Sequence, residues 1–466
     1  MPEFLPADLA VWSGGEWRAA ASIPTLNGIS HDTRQMAPGT LFVAVAGDRF
    51  DGHDFLQQAF AAGASAAMVR RGHPAVAGVS EPLLQVDCTR RALAAVATGH
   101  RRKIGCTVVG ITGSAGKTTV KEMTARMLDT AMPTVRTRGN WNNDIGVPLS
   151  LLAMERSTRV GVFEIASNHP GEIDALAQVV EPDWGVVTNV GPVHIGHFGS
   201  LAAIAAEKGA LLRHVPLAGR AFLCRDGQFF DDLAGLTRAA VTTVSMRQDA
   251  DYRCVDTAVL EEGGTRVTIL ERATGARATL DVAIPGAHNV SNAMLALAVA
   301  RAFGVAWDEI GRALREYKTM PMRWERDKVG GVTVINDAYN ANPLSMRAAL
   351  TTFGDLIHGG RKWLVLAGML ELGNESEREH VDLGRFVARS PWAGLIVVGD
   401  LAEGIAAGAE DAGMSAQAVV RTADTDAAVE ALAARVRAGD AVLFKASRGL
   451  HLEFVIAGWR KRQPVD

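Results

Sequence analysis

A lysine and a threonine follow a glycine turn that joins a predicted strand to a predicted helix. The apolar run Cys106–Thr112 predicts the strand, and Gly113–Gly116 forms the turn. Apolar residues recur at helical spacing after Lys117 and Thr118, which predicts a helix that starts at the turn. Glycines let backbone N–H groups converge on phosphate oxygens, and a helix N-terminus adds partial positive charge. A lysine can neutralise the outer phosphates and a threonine hydroxyl can hold Mg²⁺, so the stretch predicts a phosphate-binding loop.

Candidate metal ligands follow two later predicted strands. An apolar run ends in Glu164, and His194 follows the strand predicted at Trp184–Val190. Ligands of parallel α/β sheets lie beyond the carboxyl ends of the strands, so both side chains could bind a metal ion. A surface carboxylate and a hydrogen-bonded structural histidine are the alternatives. Lys208 lies in a predicted helix, where a lysine is ordinarily a solvated surface charge.

Polar clusters elsewhere have both a structural and a binding interpretation. Gly139–Asp144 contains three asparagines, which are typical of a turn. Asn289 and Asn292 precede a helix predicted at Ala293–Phe303, where they could cap the helix or bind a purine edge. Two clusters in the first hundred residues are either solvated turns or a patch for an anionic, hydroxyl-rich ligand. These two clusters are His31–Arg34 and Gly47–Asp54.

The elements that carry these residues predict an α/β protein of three domains. A small mixed α/β domain is expected over residues 1–103, and a central parallel-sheet domain with the phosphate loop over 104–320. A Rossmann-like α/β domain is expected over 321–466, with polar loops after its strands. Those loops contain Asp337 and Lys445, so the third domain should face a nucleotide from across a cleft.

Composition narrows the function classes. The chain has 466 residues, with 48 lysines and arginines against 51 aspartates and glutamates, so nothing calls for a nucleic-acid partner. The N-terminus lacks the basic segment of a signal peptide, and the apolar run Ala293–Ala302 is too short to span a bilayer. Four scattered cysteines predict a reduced protein without disulfides or a zinc site. We therefore expect a cytoplasmic protein without stable membrane insertion.

Several of these stretches together resemble the Mur ligase superfamily over essentially the whole chain. Gly113–Thr119 is similar to the superfamily's own phosphate loop, T-G-x-x-G-K-T-T/S. This loop is shorter than the general pattern G-x-x-x-x-G-K-S/T, which would require glycine in place of Ile111. The other matching stretches are Asp32–Arg34, Gly47–Phe55, Gly139–Pro148, Glu164–Ile173, Asn189–Gly209 and, as the most specific, Ile335–Met346.

The resemblance is closest to the branch that joins D-alanyl-D-alanine to UDP-N-acetylmuramoyl-tripeptide, a peptidoglycan precursor. It implies a ligase that uses ATP to convert the peptide carboxylate into an acyl phosphate, which the incoming amine then attacks. The implied ligands are ATP, two Mg²⁺ ions, UDP-MurNAc-tripeptide and D-Ala-D-Ala, and the protein is expected to be a monomer. The alternatives are the superfamily ligase that adds the third peptide residue and a P-loop ATPase without ligase activity. The former carries a D-N-P-R type motif that this chain lacks.

The resemblance also implies roles for individual residues. Lys117, Lys208 and His169 would be catalytic, His169 by orienting the incoming amine. Lys208 matches a position that superfamily members carry as a carbamate, which would turn a cation into a carboxylate-like metal ligand. The nucleotide would contact Gly113, Ser114, Ala115, Gly116, Lys117, Thr118, Thr119, Asn289, Asn292, Arg323 and Asp337. The metal ligands would be Thr118, Glu164, His194 and Lys208. The substrates would contact Thr33, Arg34, Arg49, Phe50, Asp51, Gly52, His53, Asn140, Asn142, Asn143, Asp337 and Asn340.

Three positions depart from the superfamily pattern. Gly368 stands where G-D-M-x-E-L-G has its aspartate, and Ala446 replaces the first glycine of K-G-S-R-G. Gly196 occupies a position that is usually acidic, two residues after His194. The first departure should alter contacts of the third domain, and none of the three touches the phosphate loop, Glu164, His194 or Lys208.

Overall fold

The computed structural model describes residues 2–19, 22–47, 50–261, 263–356 and 358–462. Its strands form three sheets that follow one another along the chain, each flanked by helices. The predicted three-domain α/β architecture is therefore confirmed. Among the helices of the described residues, none has the length and apolar character needed to cross a membrane.

The N-terminal sheet places three loops at one edge. Its strands are β1 (Glu16–Arg18), β2 (Ile29–Ser30), β3 (Thr40–Val43), β4 (Ala64–Arg70) and β5 (Leu83–Val86), in the order β1-β5-β4-β3-β2. Only the β1–β5 pair is antiparallel in this order. The helices are α1 (Pro6–Ser13), α2 (Leu56–Ala61) and α3 (Thr89–Ile104). Because β2, β3 and β4 are parallel neighbours, the loops that follow them lie at the same edge of the sheet.

The central sheet combines a parallel part with an antiparallel extension. Its order is β14-β13-β12-β11-β10-β9-β6-β8-β7, parallel from β12 to β7 and antiparallel between β12, β13 and β14. The strands are β6 (Thr107–Thr112), β7 (Thr134–Arg136), β8 (Val160–Glu164), β9 (Trp184–Val187), β10 (Arg220–Cys224), β11 (Ala240–Ser245), β12 (Tyr252–Val259), β13 (Thr265–Glu271) and β14 (Arg277–Val282). The helices are α4 (Lys117–Asp129), α5 (Gly146–Leu151), α6 (Glu172–Val180), α7 (Ile195–Phe198), α8 (Leu201–Arg213), α9 (Phe230–Ala234), α10 (Ala287–Ala302) and α11 (Trp307–Arg315).

The first two domains share a hydrophobic cluster at their junction. Leu9 and Leu93 from α1 and α3 belong to the same buried cluster as Val147 and Ile173 from α5 and α6. Buried Arg101 at the end of α3 reinforces this junction, since its guanidinium donates to the carbonyl of Val180 and forms an ion pair at 2.7 Å with Asp183. The N-terminal domain is thus packed firmly on the central domain through α3.

The C-terminal sheet has the order β15-β16-β20-β17-β18-β19, in which only β15 is antiparallel to its neighbour. The strands are β15 (Glu325–Val329), β16 (Val332–Asn336), β17 (Lys362–Ala367), β18 (Gly394–Val398), β19 (Val419–Thr422) and β20 (Ala441–Lys445). The helices are α12 (Pro343–Asp355), α13 (Ser376–Val387), α14 (Glu403–Asp411), α15 (Thr425–Arg435) and α16 (Glu453–Arg460). They cover the two faces of the sheet and enclose two buried clusters of their own.

The predicted domain boundaries lie in two different settings. The boundary after residue 103 falls in the last turn of α3, within the shared packing, whereas the boundary after 320 falls in the segment between α11 and β15. As limits of independently folding units, both remain predictions.

Candidate active site

A cavity of about 910 Å³ lies between the central and C-terminal domains. Its central wall comes from the turn after β6 and from the loops after β8, β9 and β10, and its opposite wall from the loops after β16 and β20. The predicted site residues that line it are Ser114, Ala115, Gly116, Lys117, Thr118, Thr119, Asn140, Asn142, Glu164, His194, Asn289, Asn292, Arg323, Asp337 and Asn340. The sequence prediction thus identified residues from both domains that the fold brings to one cavity.

The phosphate-loop turn is tightly constrained. Gly116 has a φ of +79°, and a Cβ atom at this position would lie 2.4 Å from Asn292 Oδ1 in α10. A Cβ on Gly113 would lie 2.0 Å from Thr188 Oγ1. Both glycines are therefore required by close packing, and α4 begins directly after them at Lys117.

Residues in the loop after β9 hold the phosphate-loop turn in place. Asn189 accepts a hydrogen bond from the Ala115 N–H at 2.9 Å and donates to the Ala115 carbonyl at 3.0 Å. Thr188 donates to the same carbonyl at 2.5 Å, and Ser114 donates to the Gly191 carbonyl at 3.0 Å. Sequence reasoning had not assigned a role to Thr188 or to Asn189, because a lone polar residue after a strand gives no signal of its partner.

Lys117 and Glu164 form the charged centre of the site. Lys117 Nζ donates to the Gly113 carbonyl at 2.7 Å, so the ammonium group is folded against the turn. Burial lowers the pKa of Lys117, and the neighbouring Glu164 carboxylate opposes this effect. Glu164 Oε1 accepts a hydrogen bond from Asn142 at 2.8 Å. Its Oε2 is buried and has no hydrogen-bond partner among the described residues.

His194 links the central domain to the C-terminal domain. Its Nδ1 lies 2.5 Å from Oε2 of Glu371, a residue in the loop after β17. Burial lowers the pKa of His194, while the charge of Glu371 raises it. Glu371 also lines the cavity and was not among the predicted site residues.

Lys208 is fully buried, contrary to what its helical position alone would suggest. It is 1% exposed in α8, and its Nζ donates to Ser167 Oγ at 2.7 Å. Burial, assisted by the charge of Lys117, lowers the pKa of Lys208 to about 7. The neighbouring Glu207 accepts hydrogen bonds from the backbone N–H groups of Gly171 and Ile173. A lysine in this setting has a large neutral fraction near neutral pH and can act as a nucleophile.

The far side of the cavity presents amide, aromatic and cationic groups. Asn289 and Asn292 lie inside α10, so neither is its N-cap, and Asn289 Nδ2 donates to the Pro285 carbonyl at 2.8 Å. The Arg323 guanidinium stacks over the Tyr339 ring at 4.0 Å from its centroid. Asp337 forms an ion pair with Lys445 Nζ at 2.6 Å. Sequence analysis had not included Lys445 among the site residues.

The first predicted substrate cluster faces the asparagine turn of the central domain. His31, at the end of β2, packs edge-on against Trp141, with ring centroids 6.1 Å apart. Thr33 and Arg34 lie in a short 3₁₀ helix after His31, and Arg34 is paired with Asp32 at 2.9 Å. These contacts bring the first-domain loop beside Asn140 and Asn142, which line the cavity.

The second cluster is organised around Asp51. His53 Nδ1 lies 2.6 Å from Asp51 Oδ1, and His73 Nε2 lies 3.3 Å from Asp51 Oδ2. The two imidazole rings stack with centroids 4.0 Å apart. Gly52 and His53 open the 3₁₀ helix that Asp51 caps, and Phe50 is exposed beside them. The predicted contact residue Arg49 lies outside the described residues.

Several predicted site residues are not among those that line the cavity: Gly113, Asn143, His169, Lys208 and, from the first domain, Thr33, Arg34, Phe50, Asp51, Gly52 and His53. His169 is exposed, with Nδ1 at 3.2 Å from Glu172 Oε1, and its role in orienting an amine stays a prediction. Asn143 accepts a hydrogen bond from the Gly146 N–H at 2.8 Å at the start of α5. Asn143 therefore stabilises the asparagine turn locally.

The fold and the cavity define a nucleotide-binding α/β protein in which a phosphate loop faces a second α/β domain. Family models described as "Mur ligase middle domain", "Mur ligase, glutamate ligase domain" and "Mur ligase family, catalytic domain" match residues 111–300, 322–448 and 25–101. The chain belongs to the Mur ligase family.

Curated relatives and solved structures similar to this chain cover most of its length. The chain is 35% identical over 432 residues to the UDP-N-acetylmuramoyl-tripeptide–D-alanyl-D-alanine ligase of Bacillus subtilis, covering 92% of both chains. It is 36% identical over 464 residues to the ligase of that name from Mycobacterium tuberculosis, covering 91% of this chain and 90% of the relative. A crystal structure of MurF from Acinetobacter baumannii superposes with a TM-score of 0.90 at 28% identity over 99% of this chain and 100% of that chain. The MurF ligase of Thermotoga maritima in complex with ADP gives 0.81 at 28% identity over 93% of this chain and 97% of that chain.

Proposed function

We propose that this protein is an ATP-dependent ligase that joins D-alanyl-D-alanine to UDP-N-acetylmuramoyl-tripeptide. The observation that carries the proposal is the single cavity that unites the phosphate loop, Glu164 and His194 with Asp337 and Lys445 of the C-terminal domain. The curated relatives named for this reaction, at 35–36% identity over more than nine-tenths of the chain, support it.

The chemistry proceeds in two transfers. A carboxylate oxygen of the tripeptide attacks the γ-phosphorus of ATP, the bond to the bridging oxygen breaks, and ADP leaves. The neutral amine of the dipeptide then attacks the acyl carbon, loses its proton, and expels inorganic phosphate. The first step gathers negative charge between two anions, and the second develops it on the tetrahedral intermediate and the leaving phosphate, so positioning and charge stabilisation supply most of the catalysis. Lys117 is suited to the terminal phosphates because its ammonium already lies against the turn.

The oxygen atoms at the site fit Mg²⁺. Glu164 has a buried oxygen without a partner among the described residues, and the Thr118 side chain lines the same cavity. Mg²⁺ prefers such oxygen ligands and would offset the charge of the phosphates. We assign Glu164 and Thr118 as ligands and His194 as a further one through Nε2, since its Nδ1 faces Glu371.

Lys208 is suited to carbamylation. Only a neutral amine reacts with CO₂, and burial of Lys208 lowers its pKa to about 7. The product would be a carboxylate-like group in place of a buried cation, removing repulsion with Lys117 and adding an oxygen ligand for the metal.

The first domain provides the uridine-nucleotide side of the substrate site. The loops after β2 and β3 lie at one edge of its sheet, and His31 places the first of them against the asparagine turn. We assign Thr33, Arg34 and the Phe50–His53 segment to this end of the substrate, and Asn140 and Asn142 to the stretch that leads to the γ-phosphate.

A phosphate-release assay with purified protein tests the proposal. With ATP and Mg²⁺, release should require both UDP-MurNAc-tripeptide and D-Ala-D-Ala and should yield UDP-MurNAc-pentapeptide by mass spectrometry. The control replaces the tripeptide with UDP-MurNAc-dipeptide and supplies diaminopimelate or lysine as the amine, which tests the ligase that adds the third residue. ATP turnover that neither substrate affects would contradict the proposal.

A further inference from the structure

A close polar contact between the central domain and the loop after β17 joins His194 to Glu371. His194 Nδ1 and Glu371 Oε2 are 2.5 Å apart, and both residues line the cavity. His194 ends the loop after β9, whereas Glu371 lies in the loop after β17 of the opposite domain. The contact therefore exists only when the two domains are docked.

Both partners have an unusual backbone conformation. The φ angle is +50° at His194 and +64° at Glu371, although neither residue is glycine. A residue with a side chain is uncommon in this region of backbone conformation. Such conformations persist where the surroundings impose them, and here they direct two side chains toward each other across a domain boundary.

Glycines on both sides allow the two loops to approach. A Cβ atom on Gly196 would lie 3.1 Å from the Cα and N atoms of Gly373, and one on Gly373 would lie 2.9 Å from Gly196 Cα. Ile195 beside Gly196 packs against the hydrophobic cluster of the C-terminal domain that contains Leu372. The contact is thus a close backbone approach with an apolar anchor and one ion pair.

We propose that Glu371 is a positioning residue that orients the imidazole of His194 when the C-terminal domain docks. In this structure Nδ1 is within ion-pair distance of the carboxylate but makes no hydrogen bond with the described residues. A rotation of the imidazole would let the carboxylate accept the Nδ1–H, which would leave Nε2 as the unprotonated nitrogen. A carboxylate behind a histidine fixes its tautomer and ring orientation in this way in many metal sites. Docking of the C-terminal domain and orientation of the His194 imidazole in the site then occur together. The inference rests on the proposed function for its reaction but not for the contact itself.

The exposure of the Glu371 side chain distinguishes a positioning role from a role in stabilising the fold. The Glu371 side chain is 50% exposed, and ion pairs at such positions contribute little to the free energy of unfolding. Replacement of Glu371 should therefore leave the melting temperature of the full chain unchanged while it alters the site. If Glu371 only held the fold together, its replacement would lower both the melting temperature and the activity.

The first test compares Glu371→Ala with Glu371→Gln in the full chain. Removal of an outer carboxylate behind a ligand histidine typically costs about 10- to 100-fold, which we expect in kcat for Glu371→Ala. Glu371→Gln keeps an oxygen that can accept the Nδ1–H and should recover most of the loss. Equal kcat for wild type and Glu371→Ala, or an equal loss in both variants, would overturn the positioning role.

The second test needs no turnover. Gly196→Ala introduces a methyl group at the closest approach without a demanding backbone angle, so the protein should fold but dock less completely. Hydrogen exchange of peptides that cover 194–199 and 370–375 should be faster than in wild type, with and without a non-hydrolysable ATP analogue. The matched control is Gly359→Ala, because a Cβ at Gly359 meets nothing within 4 Å.

The two tests also separate the inference from the proposed function. Unchanged exchange in Gly196→Ala would refute the docking contact whatever the substrates are. Faster exchange in Gly196→Ala, together with wild-type protein that shows no ligase activity, would support the contact and refute the proposed reaction.

Discussion

Lys208 illustrates how strongly a side chain depends on its surroundings. In a predicted helix it has the pattern of a surface charge, yet it is 1% exposed and its Nζ donates to Ser167. Only the resemblance to the Mur ligases indicated that Lys208 belongs to the site and is not a surface charge. The structure supplies the physical reason, because an uncompensated buried ammonium is costly and favours the neutral amine.

The pH dependence of unfolding should reveal this buried amine. The pKa of Lys208 is about 7 in the folded chain, against 10.5 for an ordinary lysine. Between these values the unfolded chain binds more protons, so this lysine's destabilising effect is complete below pH 7 and fades as the pH rises toward 10.5. The stability difference between Lys208→Met and wild type should shrink by roughly 1.4 kcal/mol per pH unit in this range.

Denaturant unfolding in CO₂-free buffer at several pH values measures this difference. Added bicarbonate should stabilise wild type near pH 8 and leave Lys208→Met unchanged, which isolates carbamate formation. A difference that does not vary with pH would contradict the depressed pKa.

The residues to which sequence reasoning assigned no partner share a feature. Asn189, Glu371 and Lys445 each act on a partner in a distant part of the chain: Ala115, His194 and Asp337. A motif reveals a residue whose neighbours in sequence are also its neighbours in the site, as in the phosphate loop. It does not reveal one whose partner is brought close only by the fold.

The strand–turn–helix unit of the phosphate loop was predictable in detail. β6, the turn and α4 occur where the pattern predicted them, and β8 ends at Glu164, where the apolar run ends. α10 begins at Ala287, six residues before the predicted start at Ala293. Its first turns carry polar residues that face the cavity, so they lack the apolar periodicity on which the prediction depended.

Replacement of Gly116 by alanine should disable the phosphate loop. The new Cβ would require a φ of +79° and would meet Asn292 Oδ1 at 2.4 Å, so the turn or α10 must shift. Displacements of this size can cost roughly 100-fold, which we expect as a loss of affinity for a non-hydrolysable ATP analogue in isothermal titration.

Gly105→Ala is the matched control for backbone strain. Gly105 has a φ of +66°, and its Cβ would come no closer than 3.9 Å to another residue. Both variants should lose about 1–3 kcal/mol of stability, but only Gly116→Ala should lose nucleotide affinity. Equal affinities would mean that the contact with Asn292 is not what shapes the loop.

The three domains were predictable from strand and helix alternation, but their arrangement was not. No pattern in the sequence indicates that α3 packs on α5 and α6 within one hydrophobic cluster. Nor does it indicate that the C-terminal domain keeps its own clusters and meets the rest mainly through a polar cavity. Such facts depend on which apolar faces remain uncovered after each domain has formed.

This arrangement predicts two unfolding transitions. The N-terminal and central domains should unfold together, and the C-terminal domain separately, in differential scanning calorimetry. Leu93→Ala in α3 and Leu443→Ala in β20 each remove a fully buried side chain and should cost about 2–5 kcal/mol. Each substitution should lower a different transition. A single transition that both variants shift would contradict the division.

The shared core of the first two domains has a consequence for substrate selection. Since α3 fixes one domain on the other, the loop around Asp51 and the buried Lys208 stand at a constant separation. On the proposed function, the nucleotide end of the substrate and its reacting carboxylate are held at these two places. The rigid pair of domains then sets the length of peptide that fits. A peptide one residue shorter or longer would leave its carboxylate out of reach of the γ-phosphate.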